Sequence, residues 1–207
     1  MAVKNFDENK VVFVVEHSMK RHGCTDGAYL ASLEVIDGQV SFLIDDSEYC
    51  FTAQQCAEVS KSLAKMLLTY SNLGICEGSA ESISRLATYA TWYQLIQSRT
   101  LSTKRDSLQI YESRNKGFEF CASGSFRRPE FPHCEPDYYK LVIALDDDLD
   151  LPCLGIDDRT FRLNFEEAFW LVEQLWVAGY LAAQIEQPTV STMNAPYIDE
   201  DGHLICY

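Results

Sequence analysis

The feature that most constrains the fold is an internal resemblance between two stretches of the chain that lie 112 residues apart. Segments 44–63 and 156–175 read IDDSEYCFTAQQCAEVSKSL and IDDRTFRLNFEEAFWLVEQL. Most of the matches are physical rather than literal: Tyr49 meets Phe161, and Leu63 meets Leu175. Self-similarity at a fixed offset indicates one structural unit used twice.

Each copy predicts the same order of local structures. An Asp-Asp pair predicts a polar turn, a short alternating stretch predicts a strand, and a capping box then begins a helix. The box is Thr52 with Gln55 in the first copy and Asn164 with Glu167 in the second. Further strands are predicted upstream of the two turns, at 11–16, 31–36, 108–112 and 139–145.

Three segments have the apolar spacing of helices, at 53–70, 79–97 and 165–184. The last differs from the others because Trp170, Val177 and Leu181 form a second apolar side. A helix of this kind is buried on two sides, against its own sheet and against either the middle helix or a second subunit.

Together these elements predict an α+β protein made of two fused β-β-β-α repeats, a pseudo-twofold duplication, with an additional helix between them. The expected boundaries are 1–74 for the first repeat, 75–106 for the connecting helix and basic linker, 107–187 for the second repeat and 188–207 for a C-terminal tail. We expect one compact domain, because each copy alone offers only a small sheet and few helices. A short edge strand is expected at 203–207.

The net charge of the chain limits the classes of macromolecule that it can bind. The chain has 17 Lys and Arg against 31 Asp and Glu, a net charge of -14. Direct nucleic-acid binding by a basic face is therefore disfavoured. Segment 99–128 has a net charge of +4 and segment 129–158 a net charge of -8, so these neighbours could also pair within the molecule.

No cofactor or metal is predicted. The eight cysteines lack the tight spacing of a disulfide scaffold, and no His and Cys grouping repeats the paired spacing of a structural zinc site. Nucleotide fingerprints and a Gly-x-Ser-x-Gly elbow are missing from the sequence. With no apolar run near the ~20 residues of a membrane span and no recognisable signal peptide, we expect a cytoplasmic protein with free thiols and no membrane contact.

The acidic run Asp146, Asp147, Asp148 and Asp150 is the candidate partner-binding site. Its carboxylates suit calcium, but the twelve-residue loop with its central Gly and terminal Glu is missing. One crowded turn also gives little control over a two-metal centre. Two interpretations remain, a solvated hairpin turn and a contact surface for a cationic partner. No catalytic, cofactor-binding or metal residue is assigned.

The sequence therefore favours a non-enzymatic acidic protein that binds and inhibits a macromolecular partner with a basic surface. By charge and size this resembles phage-encoded inhibitors of CRISPR or restriction complexes and immunity proteins of toxin systems. Two alternatives stay open. One is an enzyme with an active site between the two lobes, using Cys, His or carboxylate groups, and the other is a homo-oligomeric structural component such as a homodimer.

Overall fold

The computed structural model describes residues 11–23, 27–97, 107–113, 119–128, 137–146, 149–186, 197–198 and 204–205. It is an α+β protein with two antiparallel sheets and three long helices, as predicted at the level of fold class. The first sheet has four strands in chain order, β1 Val11–Lys20, β2 Ala28–Ile36, β3 Gln39–Ile44 and β4 Ser47–Phe51. The second has five strands in chain order, β5 Gln109–Ser113, β6 Glu119–Arg127, β7 Tyr138–Asp146, β8 Leu151–Ile156 and β9 Arg159–Arg162.

The helices follow the predicted positions closely. They are α1 Ala53–Asn72 after the first sheet, α2 Ala80–Gln97 between the sheets, and α3 Phe165–Glu186 after the second sheet. A separate two-stranded ribbon joins β10 Tyr197–Ile198 to β11 Leu204–Ile205. The predicted edge strand near the C-terminus thus pairs within this ribbon, and adds to neither large sheet. None of the helices in the described part of the chain is both long and apolar enough to cross a membrane.

Each sheet has more strands than the three predicted before each helix, because β3, β6 and β8 were missed. Gly124 and neighbouring serines weaken the β signal of β6, while Pro152 and Gly155 weaken that of β8. Yet β8 is hydrogen-bonded between β7 and β9. The strand β3 begins after a tight turn in which Asp37 and Gly38 both have positive φ, as hairpin turns of this hand require.

The predicted Asp-Asp turns and capping boxes are confirmed. Asp45 and Asp157 each occupy the left-handed region, with φ of 59° and 57°, which Asp tolerates better than most residues. Thr52 and Gln55 make both bonds of a capping box at the start of α1. Asn164 Oδ1 accepts a bond from the Glu167 amide, and Glu167 Oε2 accepts one from the Asn164 amide, both at 2.8 Å.

The helices pack across the two sheets. Helix α3, which follows the second sheet, makes most of its sheet contacts with β1, β2 and β3 of the first. Helix α1, which follows the first sheet, is bonded to the second: Tyr70 Oη accepts the Phe120 amide at 3.0 Å, and Gln55 Nε2 donates to the Arg127 carbonyl at 2.9 Å. The two helices form the largest helix contact, where Ser60 Oγ donates to the Val172 carbonyl at 2.9 Å. One continuous core results.

The second apolar side of α3 is covered within the chain. Trp176 and Val177 are buried, Leu181 packs against the core, and Trp170 stacks on His17 with ring centroids 4.9 Å apart. Helix α3 contacts both α1 and α2. The apolar pattern that suggested a subunit interface is therefore accounted for by intramolecular packing.

The Glu167 carboxylate joins α3 to the first sheet, and its loss should destabilise the fold. It accepts the Lys20 amide at 2.7 Å and contacts His22 Nε2 at 2.8 Å, in addition to its capping bond. Burial raises the pKa of Glu167, but these hydrogen bonds outweigh it and leave the pKa below its usual value of 4.5. Because the folded-state pKa is lowered, this stabilisation is present above about pH 4.5 and is lost as the pH falls further.

We expect Glu167→Ala to lower the free energy of unfolding by about 2 to 3 kcal/mol at neutral pH, since two amides lose a charged acceptor. Glu166→Ala, at the neighbouring exposed position, should cost less than about 1 kcal/mol. Urea denaturation at pH 7 and below pH 4.5 measures both, and the Glu167→Ala deficit should shrink at the lower pH. An equal cost for the two variants would contradict the proposed role of this carboxylate.

Candidate functional site

The predicted acidic site is divided by the structure. Asp146 ends β7, with its side chain 12% exposed, and Oδ2 accepts a bond from Arg162 Nε at 2.6 Å. Its Oδ1 accepts the Leu149 amide at 3.1 Å, which shapes the turn. Asp150 is exposed and has a φ of 52°. Asp147 and Asp148 lie outside the described residues.

Arginines pair with three of the four aspartates in the two Asp-Asp turns. Asp45 pairs with Arg21 at 2.5 Å, and Asp46 pairs with Arg159 from the other sheet. The Arg159 guanidinium lowers the pKa of Asp46. In the second turn Asp157 pairs at 3.0 Å with an arginine that also pairs with Asp137, namely Arg128. Part of the opposite charge of segments 99–128 and 129–158 is thus paired within the molecule.

The outer face of the first sheet carries acidic residues that have no arginine partner in the part of the chain that the structure describes. By strand alternation, Glu16, Glu34 and Glu48 point away from the buried side. Val14 faces Glu34 and Ser32 faces Glu16, so the two glutamates are diagonal neighbours. Ser41 faces Glu34 across the next strand pair, and its hydroxyl donates to Glu48 at 2.8 Å.

We call Glu16, Glu34 and Glu48 the acidic stripe. Lys20 is the one basic residue among the outward positions of β1 to β4, and it lies at the end of β1. Within the described part of the chain, no ion pair within 4 Å reaches any member of the stripe. Val12 and Leu30 on the same face are 54% and 42% exposed. The face therefore combines uncompensated negative charge with exposed apolar surface.

A second candidate site lies where the two sheets meet, in a cavity of about 250 Å³. One wall comes from the β1–β2 hairpin and the first Asp-Asp turn, and the other comes from β9. We call it the seam cavity, and it is lined by Arg21, His22, Tyr29, Asp45, Arg159, Thr160, Phe161 and Arg162.

Tyr29 has the most unusual polar group in this cavity. The residue is 8% exposed, and its Oη is buried with no hydrogen-bond partner among the described residues. Burial, followed by the charge of Glu167, raises the pKa of Tyr29 strongly, so the phenol stays protonated at neutral pH. The Arg21 guanidinium lies 5.5 Å from the centre of its ring. A buried donor without an acceptor is costly unless something else satisfies it.

Tyr139 occupies the corresponding place at the other junction of the sheets, and there the phenol is bonded. Its Oη accepts the Cys50 amide of β4 at 3.2 Å. The Arg128 guanidinium lies 4.2 Å from the centre of the Tyr139 ring, compared with 5.5 Å between the Arg21 guanidinium and the centre of the Tyr29 ring. The two junctions thus share an Arg, Tyr and Asp arrangement but differ in whether the phenol has a partner.

Two of the described thiols, those of Cys56 and Cys153, are poor nucleophiles. Burial raises the pKa of Cys56 far above its usual value of 9.0, and burial with the nearby Asp146 carboxylate raises that of Cys153 to about 11. Neither thiol is ionised at neutral pH. Within the described residues, no cluster of three His, Cys, Asp or Glu side chains is placed to hold a metal ion.

Sequence reasoning missed the acidic stripe and the seam cavity. The stripe was predictable in part, since Glu16 lies in one predicted strand and Glu34 in another. Predicting that they are neighbours requires the strand register. The cavity could not be predicted, because Tyr29 and Arg159 lie 130 residues apart in the sequence and no local pattern connects them.

The two tyrosines provide a matched test of the buried phenol. Tyr29→Phe should change the free energy of unfolding by less than about 0.5 kcal/mol or raise it, because no hydrogen bond is lost. Tyr139→Phe should lower it by about 1 kcal/mol, since the Cys50 amide loses its acceptor. Thermal or urea unfolding of both variants measures the difference. Equal destabilisation would mean that Tyr29 Oη has a partner in the folded protein.

Comparison with known proteins gives no family for this chain. No protein family, no curated protein and no solved structure matches it significantly.

Proposed function

We propose that this chain is a non-enzymatic acidic protein that binds a basic macromolecular partner and inhibits it. The acidic stripe is the observation that carries the proposal. Five described arginines are engaged with carboxylates elsewhere, and none of these pairs involves the stripe: Arg21, Arg85, Arg128, Arg159 and Arg162. The outer face of the first sheet therefore groups three glutamates that have no ion-pair partner among the described residues.

Like charges directly opposite each other destabilise a sheet, and diagonal neighbours still lie within reach of long side chains. Diagonal neighbours such as Glu16 and Glu34 are separated by about 7 Å, a distance at which carboxylates still repel each other. A cationic surface docked on this face would remove the repulsion and would be steered toward it by the field of the whole protein. The exposed Val12 and Leu30 would supply apolar contact at the same face.

The acidic turn is proposed as a second contact, with a smaller part for Asp146. Asp150 is exposed and can meet a partner, whereas the Asp146 carboxylate is already engaged with Arg162. Asp150 need not touch a partner that is bound to the acidic stripe, because long-range electrostatic attraction speeds the encounter without direct contact.

The partner class follows from the charge. Enzymes that handle nucleic acids present basic surfaces, so an acidic antagonist fits a phage-type inhibitor of a CRISPR or restriction complex or a toxin immunity protein. We place the protein in the cytoplasm as part of this proposal. The absence of disulfides among the described cysteines supports a reducing compartment.

We further propose that the two halves arose by duplication. The offset of 112 residues carries the bounds of β3, Gln39–Ile44, onto those of β8, Leu151–Ile156, and the starts of β4 and α1 onto the starts of β9 and α3. It also relates the bonded residues Ser60 and Val172. Gln55 and Glu167, the third residues of α1 and α3, each bond the backbone of the last residue of a strand in the opposite sheet.

Under this proposal the stripe belongs to one copy alone. Strand register relates Glu16, Glu34 and Glu48 to three uncharged residues of the second sheet, Ser123, Ala144 and Thr160. A feature required only for folding would be expected in both copies. Its restriction to the first sheet supports a role in binding.

An enzyme with an active site between the lobes is the second candidate, and the seam cavity favours it as a location. His22 and Tyr29 line the cavity together with arginines. Of the lining groups that can form covalent intermediates, the Asp45 carboxylate is paired with Arg21 and the Tyr29 phenol stays protonated at neutral pH because its pKa is raised. A binding role is therefore the simpler use of this cavity.

The stripe is tested by capture followed by kinetics. The full chain, immobilised at low salt, should capture a basic protein from a lysate of its own source cells, and high salt should release it. The captured protein should then associate about tenfold more slowly with a Glu16→Lys, Glu34→Lys, Glu48→Lys triple variant. Stopped-flow or surface-based association rates measure this effect, with circular dichroism confirming the fold of each variant.

A second triple variant, Glu77→Lys, Glu81→Lys and Glu119→Lys, changes the net charge equally at exposed positions away from the stripe. It should slow association by less than about twofold. Equal slowing by both triple variants would mean that the stripe acts only through its contribution to the net charge. Unchanged rates in both variants would contradict an electrostatic interface.

Two single variants separate the parts of the acidic turn. Asp150→Asn should slow association by about twofold, because it removes an exposed charge, while Asn tolerates the positive φ. Asp146→Asn should leave the rate unchanged and lower the free energy of unfolding by about 1 kcal/mol, since it weakens a partly buried ion pair. The reverse pattern would assign the contact to Asp146.

A further inference from the structure

The seam cavity has the features of a binding site in its own right, distinct from the acidic stripe. We propose that it binds a small oxyanion, a carboxylate or phosphate group, held by the guanidinium group of Arg159 and by the hydroxyl of Tyr29. The stripe would engage a basic protein, whereas this cavity would take a small acidic ligand, so either site can exist without the other.

The hydrogen-bond donors of the lining favour a ligand rich in acceptors. Three guanidinium groups and the hydroxyls of Tyr29 and Thr160 line the cavity, with a single carboxylate, that of Asp45. Each arginine already has one aspartate partner, so the cavity would hold an oxyanion through directed donors and not through a net positive charge.

Carboxylates outside the lining hold the arginines in place. Arg159 pairs with Asp46, and Arg162 donates from Nε to Asp146. Neither aspartate lines the cavity. A guanidinium has five N–H donors in a rigid fork, so Arg159, which binds Asp46 through Nη1, keeps donors for a second acceptor, and the ion pair fixes their direction.

Tyr29 supplies the second, independent observation. Its Oη is buried without a partner among the described residues, in a residue that lines this cavity. The matching phenol of Tyr139 is satisfied by the Cys50 amide. An oxyanion in the seam cavity would accept a hydrogen bond from the Tyr29 hydroxyl. This bond would remove the free-energy cost of a buried donor without an acceptor.

The volume limits the ligand to a small one. A cavity of about 250 Å³ lies just below the usual range of small-molecule sites, ~300 to 1,000 Å³. It suits a single phosphate or carboxylate group with a short substituent. Phe161 and the Tyr29 ring provide apolar surface for that substituent.

The test uses the full chain and two probes, inorganic phosphate and acetate, in isothermal titration calorimetry at low ionic strength and neutral pH. We expect saturable binding with one site per chain and a Kd of about 1 mM or tighter for at least one probe. Tighter binding of phosphate would identify a phosphate ligand, and equal or tighter binding of acetate would identify a carboxylate. No saturation by either probe at about ten times this concentration would overturn the proposal.

Three variants assign the site. Tyr29→Phe and Arg159→Gln should each weaken binding of the better probe by about fivefold or more. Lys65→Gln removes the same positive charge as Arg159→Gln at an exposed ion pair with Glu112, outside the cavity lining, and should change the Kd by less than about twofold. If Tyr29→Phe binds as the unaltered chain does, or if Lys65→Gln weakens binding as much as Arg159→Gln, the cavity is not the site.

Discussion

The bonding of helices α1 and α3 to the sheet of the opposite half, together with the contact between these two helices, is the constraint on which the rest of the structure depends. Glu167 at the start of α3 accepts the amide of Lys20 in the first sheet, and Gln55 at the start of α1 donates to the carbonyl of Arg127 in the second. Helix α3 covers mainly the first sheet, and α1 contacts strands of both sheets. The chain must therefore fold as a whole, and the junctions between the sheets are held in fixed geometry.

That geometry determines how the charged residues are used. Arginines near the junctions are close to the Asp-Asp turns, so Asp45, Asp46 and Asp157 are neutralised within the molecule. The glutamates of the acidic stripe lie on the solvent side of the first sheet, and within the described residues no ion pair reaches them. Net charge alone would have suggested a uniformly acidic surface, whereas the fold groups three glutamates on one face and pairs the arginines of the seam cavity with aspartates.

Local signals in the sequence predicted the helices, the Asp-Asp turns and both capping boxes, because each depends on residues close together in the chain. The missed strands β6 and β8 owe their pairing to neighbours rather than to their own composition, as Gly124 and Pro152 illustrate. The sequence also could not predict that α3 covers the first sheet or that α1 bonds to the second. The match between segments 112 residues apart pairs similar residues but does not indicate which sheet a helix covers. For the same reason the sequence predicted the acidic turn but could not reveal that Arg162 occupies Asp146.

The difference between the two junctions indicates how the proposed duplication could serve function. At one junction the Tyr139 phenol bonds β4, which closes the contact and contributes to stability. At the other the Tyr29 phenol has no partner among the described residues and borders a cavity. The contact between α1 and α3 also holds the two sheets together. One junction can therefore lack a stabilising hydrogen bond and keep its donor for a ligand, because the shared core compensates for the lost stability.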